Sequence, residues 1–313
     1  MQDSLGSKQQ AAIQWLNETY EGVLSTRLLQ EYFKLTKPRI ALLIVISTAV
    51  GYCFGTGAHL NPVTLFNALL GTALMAAGSA TLNQWYERVI DSKMDRTRTR
   101  PIPAGTISPR NALYFGIAVS VAGLIELWGF AGFLAAFLGF TTSAGYLFVY
   151  TPLKTKGPLC TTIGAIPGAM PPLIGFAAAS GHLALEAWIL FGILFLWQFP
   201  HFHAIAWMYR EDYARGGVKM LAVVQPDGEA LSRQVVASLL LLIPVALAPA
   251  FVHLAGKVYF GAALVLGLAF LYFGVRLCKE HTHERARRLL LASVIYMPLL
   301  FAFLVFDNPR FTL

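Results

Sequence analysis

Charged residues are few in this sequence. Asp, Glu, Lys and Arg make up 13% of its 313 residues, against roughly 25% in ordinary soluble domains. With 56% of the chain hydrophobic and a mean hydropathy of +0.59, too little polar surface is left to coat a water-exposed globule of this size. The same figures exclude disordered and collagen-like classes. Cysteine is scarce as well. Cys53, Cys160 and Cys278 are odd in number and lie in or beside apolar stretches, with no CxxC spacing, so neither a disulfide framework nor a zinc site is expected. The first 35 or so residues contain no apolar core of the kind that precedes a cleavage site, and no signal peptide is expected there.

What the chain does have is long apolar runs. A stretch that crosses a hydrocarbon core of ~30 Å needs about 20 residues. Nine such runs occur, at approximately 40–57, 64–86, 111–129, 131–151, 160–179, 185–208, 235–254, 257–276 and 289–306, the third and fourth parted by a turn near Gly129. The formal net charge of +8 is placed asymmetrically: if the runs alternate in direction, every one of the 24 Lys and Arg except Lys257 and Arg310 falls on one face. The positive-inside rule assigns that face, with the N-terminus, to the cytoplasm. Merging or losing one run would scramble the partition. The expected architecture is an all-α integral membrane protein of nine transmembrane helices, with residues 1–35 as a cytoplasmic tail and 36–313 as one domain in the lipid bilayer. No nucleic-acid partner is expected. Between Ile13 and Phe33, apolar residues recur at roughly helical spacing, which fits a surface-lying amphipathic helix and equally a tail with scattered apolar residues.

The connections on the opposite face are short and bland, so chemistry is expected on the basic side, where polar segments follow runs 2 and 6. In the first, Asn83, Glu87 and Asp91 are spaced i, i+4, i+8 and drift only about 40° per step around a helix, so they share one face. Two carboxylates and an amide stacked at a membrane boundary are costly unless compensated. A hard cation such as Mg²⁺ compensates them, since it takes oxygen ligands and shares its shell with substrate phosphates. The following Lys93, Arg96, Arg98 and Arg100 supply the charge that surrounds a diphosphate. The arginines alone would equally suit a solvated loop, but such a loop gives no reason to align acids on one helical face. The second segment, around Trp197–Leu221, closes run 6 with Glu211-Asp212 and then a basic, glycine-containing loop. The two endings look like a diverged internal repeat that would present carboxylates across one cavity. His201 and His203, at i and i+2, cannot share a helical face. One of them can meet substrate while the other packs.

These segments resemble the UbiA superfamily of intramembrane prenyltransferases, and within it the branch that farnesylates heme. The residues that carry the resemblance are Leu35-Thr-Lys37-Pro38-Arg39, Asn83…Glu87-Arg88…Asp91…Met94-Asp95-Arg96-Thr97…Arg100-Pro101, Tyr150-Thr151…Lys154, Gly164…Pro171-Pro172-Leu173…Gly175, Trp197-Gln198-Phe199-Pro200-His201-Phe202 and Asp212-Tyr213…Gly216-Gly217…Met220-Leu221. They spread from about residue 32 to 225. The resemblance implies nine helices around a central cavity opening to the cytoplasmic side, in a bacterial inner membrane. It implies farnesyl diphosphate and heme B as substrates, heme O and diphosphate as products, and Mg²⁺ as cofactor. Heme A synthase or terminal-oxidase assembly factors are the implied partners.

On that basis Asn83, Glu87 and Asp91 are expected to hold one metal and Asp212 a second. Lys37, Arg39, Arg88, Lys93, Arg100 and Lys154 are the candidates to grip the diphosphate. Tyr150, Trp197 and His201 are the candidates to face the acceptor. A sister enzyme acting on a quinone precursor is the competing expectation. Three positions depart from the pattern: Glu87 where most of the superfamily has Asp, Thr161-Thr162 where an asparagine is expected, and His203 where a bulky apolar residue is usual.

Overall fold

The structure, a computed structural model, describes residues 26–56 and 60–309. Among them nine helices are long and apolar enough to cross a membrane: α1 (Pro38–Gly55), α2 (Pro62–Asp91), α3 (Pro109–Ala131), α4 (Phe133–Leu153), α5 (Cys160–Ser180), α6 (Leu185–Met208), α7 (Glu229–Phe251), α8 (Lys257–Lys279) and α9 (His283–Phe306). Their starts are written in the chain. Proline opens α1, α2 and α3, where its missing N–H is no loss. Asn61 caps α2 by accepting the N–H groups of Val63 and Thr64 at 3.0 and 3.2 Å, and Ser108 and Thr282 cap α3 and α9 in the same way. The break between α3 and α4 falls at Gly132 rather than near Gly129. Gly132 has φ 97°, a conformation only glycine adopts without strain, while Gly129 lies inside a π-helical turn, Leu127–Ala131.

The helices pack mainly with neighbours in sequence, α2 on α3, α6 on α7, α7 on α8 and α8 on α9. Two longer-range pairings, α1 with the second half of α5 and α6 with α9, join these into one bundle. At the α1–α5 crossing the backbones touch. A Cβ on Gly51 would stand 2.0 Å from the Pro172 carbonyl oxygen, and one on Gly175 would stand 1.9 Å from that of Thr48. Small residues are what allow such approach in a medium where apolar side chains gain nothing by leaving lipid. Large apolar side chains such as Phe133, Phe148, Leu241 and Val265 point outward, while Asn83, Gln84, Glu87, Asp91, Gln198 and His203 are buried. That inversion suits a protein solvated by hydrocarbon.

α2 is the longest element. Its 30 residues span about 45 Å, more than a hydrocarbon core of about 30 Å, so its last turns carry Asn83, Glu87 and Asp91 past the apolar layer. The stretch 26–35 is also helical. Its Tyr32 and Leu35 pack with Trp85, Ile102, Ile107 and Ala112, and Gln84 Nε2 donates to the Leu35 carbonyl at 2.7 Å. The earlier part of the candidate amphipathic segment, from Ile13 to Leu24, lies outside the described residues.

Candidate active site

One face of α2 is matched, residue by residue, by cations from three other places in the chain. Lys37, just before α1, donates from Nζ to Asn83 Oδ1 at 3.3 Å. Lys154, just after α4, meets Glu87 Oε1 at 2.7 Å. Arg100, from the loop after α2, meets Asp91 Oδ2 at 2.7 Å. The Asn83 amide also donates to Thr151 Oγ1 at 3.1 Å, which fixes which way it turns. Each ion pair uses one carboxylate oxygen, so Glu87 and Asp91 each present a second. The i, i+4, i+8 alignment is therefore present, and its acids lie buried against charge of the opposite sign.

These groups line a cavity of about 100 Å³, with Tyr146, Tyr150, Arg96, Tyr213 and the apolar Ile90, Met94, Val218 and Met220 completing the wall. Residues 145–150 form a second π-helical stretch. The Thr151 N–H and hydroxyl both bond the Tyr146 carbonyl there, and the Tyr146 and Tyr150 rings lie 5.3 Å apart. π-turns concentrate at functional sites because they re-aim side chains. The Lys154 ammonium lies 4.6 Å from the Tyr150 ring centre. Burial opposes the Lys154 charge, but Tyr150, Glu87 and Tyr146 outweigh it and raise the pKa above that of a free lysine. For Lys37 burial prevails, aided by repulsion from Arg100 and Lys154, and its pKa falls to about 7.

Asp212 lies at the edge of this cluster in a different role from the acids of α2. It is in a short helix, Arg210–Gly216, that follows α6. Its carboxylate accepts the backbone N–H groups of Asp95 and Arg96 at 3.1 and 3.2 Å and the Arg215 guanidinium. Burial works against its ionisation, yet those N–H groups and Arg215 hold its carboxyl below the usual aspartate pKa. Arg215 also bridges to Asp95 at 2.7 Å, and the Arg96 guanidinium lies over the rings of Tyr209 and Tyr213. The endings of α2 and α6 thus meet through their polar extensions. A larger cavity, about 530 Å³, is lined by Asp95, Asp212, Trp207, Arg210, His281 and others, so Asp212 does not share one cavity with the α2 acids as the sequence suggests. It reaches none of the α2 acids.

Of the expected diphosphate residues, Lys37, Arg100 and Lys154 line the cavity, and three others do not. Arg88, about 100° round the helix from Glu87, donates to the Trp85 carbonyl at 2.8 Å and lies over the Trp85 ring. Arg39 and Lys93 are exposed. Two polar cavity residues, Tyr146 and Tyr213, carry no role in the sequence-based assignment, and a third, Arg96, enters it only as one of the charges around a diphosphate and not among the residues expected to grip it. Arg96 stands in the basic cluster after α2 and Tyr146 is four residues before Tyr150, which are weak local signals. Trp197 and His201 are held together elsewhere, against α9, with rings 4.7 Å apart. Oxygen donors of the kind Mg²⁺ takes are present in Asn83, Glu87 and Asp91, two carboxylates and an amide that share one face and open on one cavity. Among the described residues no group of three or more His, Cys, Asp or Glu gathers as metal ligands.

Comparison with known proteins identifies the family. The UbiA prenyltransferase family matches residues 44–304. The chain is 51% identical over 290 residues to the protoheme IX farnesyltransferase of Solibacter usitatus (strain Ellin6076), covering 90% of this chain and 99% of that one. It is 45% identical to the protein of the same name from Koribacter versatilis (strain Ellin345), covering 90% and 94%. Among solved structures, a digeranylgeranylglyceryl phosphate synthase superposes with a TM-score of 0.75 at 17% identity, covering 90% of this chain and 99% of that one. A UbiA homolog from Archaeoglobus fulgidus bound to GPP and Mg²⁺ superposes with a TM-score of 0.63 at 18% identity, covering 88% and 99%. The fold, the acid-bearing face of α2 and the extent of these matches lead to one conclusion: the chain is an integral membrane protein that belongs to the UbiA prenyltransferase family.

Proposed function

We propose that the protein transfers the farnesyl group of farnesyl diphosphate to a vinyl group of heme B, giving heme O and diphosphate. The observation that carries this reading is the face of α2 on which Asn83, Glu87 and Asp91 are each met by a cation from a separate element, around one cavity. The names of the Solibacter and Koribacter relatives support the choice of farnesyl and heme. The Lys and Arg asymmetry supports a cytoplasmic N-terminus and a cavity opening to that side, and the bacterial relatives support an inner-membrane location. Residues 36–313 are taken as one catalytic domain, and an enzyme that makes heme A or an oxidase assembly factor as the receiver of the product.

The difficult step is heterolysis of an allylic C–O bond beside lipid. The electron pair leaves with the diphosphate, so the site must favour negative charge there. Asn83, Glu87 and Asp91 would hold Mg²⁺. Asp212 would hold a second ion only by exchanging Arg215, whose guanidinium its carboxylate accepts. Bound Mg²⁺ supplies charge that offsets what develops on the leaving group. Lys37, Arg96, Arg100 and Lys154 grip the phosphate oxygens. The Tyr146 and Tyr150 faces stabilise the positive charge on the allyl group, and the apolar wall keeps water from it. The vinyl terminal carbon then forms the new C–C bond. The cation left beside the macrocycle takes up water and loses a proton, which leaves a hydroxyethylfarnesyl substituent.

The test is turnover by purified protein in lipid with heme B, farnesyl diphosphate and Mg²⁺, read by mass spectrometry with an EDTA control. A metal-dependent product with the mass of heme plus farnesyl plus water is expected. No such product from folded protein, with prenylation of a quinone precursor instead, would overturn the acceptor assignment.

A further inference from the structure

The hydrogen bonds of Ser293 determine the tautomer of His201. Ser293, in α9, is fully buried. Its carbonyl accepts Trp197 Nε1–H at 2.9 Å, and its hydroxyl donates to the Leu290 carbonyl at 2.6 Å. A carbonyl can only accept, so the hydroxyl proton is committed to Leu290. His201 Nδ1 lies 2.8 Å from the same Oγ, and must therefore be the donor. The imidazole is the Nδ1–H tautomer, and Nε2 keeps its lone pair. The ring is also held in place, stacked on Trp197 at 4.7 Å and edge-on to Phe202 at 5.5 Å.

His203 is the opposite case. Its Nε2 lies 2.8 Å from Gln234 Oε1, an acceptor, so Nε2 carries the proton, and Nδ1 is buried. Going round α6, Gln198 meets α5 through the Ala165 carbonyl, Trp197 and His201 meet α9, and His203 meets α7. His201 thus occupies the stripe of α6 between α5 and α9, and it is half-buried where His203 is 1% exposed. A neutral imidazole whose Nδ1–H is pinned by a hydrogen bond, with no hydrogen bond on Nε2 among the described residues, is the arrangement of a metal-ligating histidine.

We propose that His201 Nε2 is the axial ligand to the iron of the acceptor porphyrin, and that Ser293 is the positioning residue that holds it in the ligating tautomer. The inference rests on the heme reading above. It adds a function for the iron, which the prenyl transfer itself does not use: the iron fixes the plane of the macrocycle.

The test uses the full chain in lipid with heme B and with metal-free protoporphyrin IX. The ferrous heme complex of the wild type shows an iron–histidine vibration in resonance Raman. His201→Gly loses it, and added imidazole restores it. The wild type binds heme B more tightly than the metal-free porphyrin, and His201→Gln removes that preference while still binding farnesyl diphosphate. Ser293→Ala weakens heme B binding about tenfold, as loss of a ligand-orienting partner does, and leaves protoporphyrin binding unchanged. If the wild type farnesylates heme B but His201→Gln keeps both the vibration and the preference, the ligand assignment is overturned and the function stands. If the wild type neither binds nor farnesylates heme B, both fall together.

Discussion

Asp212 and Arg96 are 116 residues apart in the chain, yet the Asp212 carboxylate accepts the Arg96 backbone N–H at 3.2 Å. With the neighbouring bond from the Asp95 N–H at 3.1 Å, this contact ties the loop after α2 to the short helix after α6. The side chain of Arg96 thereby reaches the cavity wall. Removing the carboxylate, or the Arg215 guanidinium that bridges it to Asp95, should free the loop. Asp212→Asn and Arg215→Gln should both speed tryptic cleavage at Arg96 and Arg98 in the absence of ligand. A further role for Asp212 as a metal ligand makes a separate expectation: Asp212→Asn should also raise the Mg²⁺ concentration needed for half-maximal turnover, and Arg215→Gln should not. Equal Mg²⁺ curves for the two variants would confine Asp212 to holding the loop.

Asp91 is 1% exposed and pairs with Arg100. Asp91→Ala should reduce turnover by about 10²–10³, the scale on which removal of one preorganised electrostatic partner acts, while the nine-helix fold persists. Its stability cost is bounded by the few kcal/mol (about 3–5) of breaking a buried pair, because Arg100 is partly exposed and can turn to water. The measurements are turnover in lipid and a melting curve on the same sample. Near-normal turnover with an unchanged Mg²⁺ requirement would remove Asp91 from the metal site.

The features readable in advance were those set by local periodicity. Nine apolar runs became nine helices, and the spacing of Asn83, Glu87 and Asp91 translated directly into a shared face. The misses share a different origin. Arg88 is adjacent to Glu87 in sequence, and a helix sends adjacent residues about 100° apart, so it lies on Trp85 rather than at the cavity. Lys93 and Arg96 both lie beyond the end of α2, where the path of the loop decides which of them turns inward. That path is set by Asp212, far away in the chain. The bond between His201 and Ser293 joins positions 92 residues apart, and no local pattern announces it. α2 and α7 run past their apolar stretches because a helix continues into polar sequence once it leaves the lipid.

Lys37 combines two unusual features. It is one of two non-glycine residues with positive φ among those described (φ 49°, ψ 59°), and its pKa is lowered to about 7 by burial and by the charges of Arg100 and Lys154. A non-glycine residue in this region is strained and persists where its surroundings impose it. In the folded protein Lys37 loses its proton as pH rises through about 7, whereas an unperturbed lysine keeps it to 10.5. The unfolded state therefore binds more protons between those values, and the contribution of Lys37 makes the fold more stable as pH rises across that window. Its contribution to holding an anion runs the other way. Farnesyl diphosphate affinity should fall as pH is raised through about 7 in the wild type. It should fall less in Lys37→Arg, since arginine stays charged. A binding series across that range on both proteins checks it, and parallel curves would exclude Lys37 as the titrating group.

Gly164, in α5, is the floor on which Tyr150 rests. A Cβ at this position would stand 2.5 Å from two carbons of the Tyr150 ring, Cδ2 and Cε2. Gly164→Ala leaves every polar group of the site in place and forces only that ring to move, carrying with it the contact to Lys154. Overpacking of this kind costs about 1–3 kcal/mol, so a lower melting temperature is expected. If Tyr150 walls the reacting allyl group, kcat should fall several-fold while Mg²⁺ dependence stays unchanged. Tyr150→Ala opens the space that the new methyl group needs. In the Gly164→Ala background it should restore the melting temperature without restoring kcat. Recovery of both would show that the ring only packs. Recovery of stability alone would place the Tyr150 face at the reacting carbon, where packing and chemistry make separate demands on the same side chain.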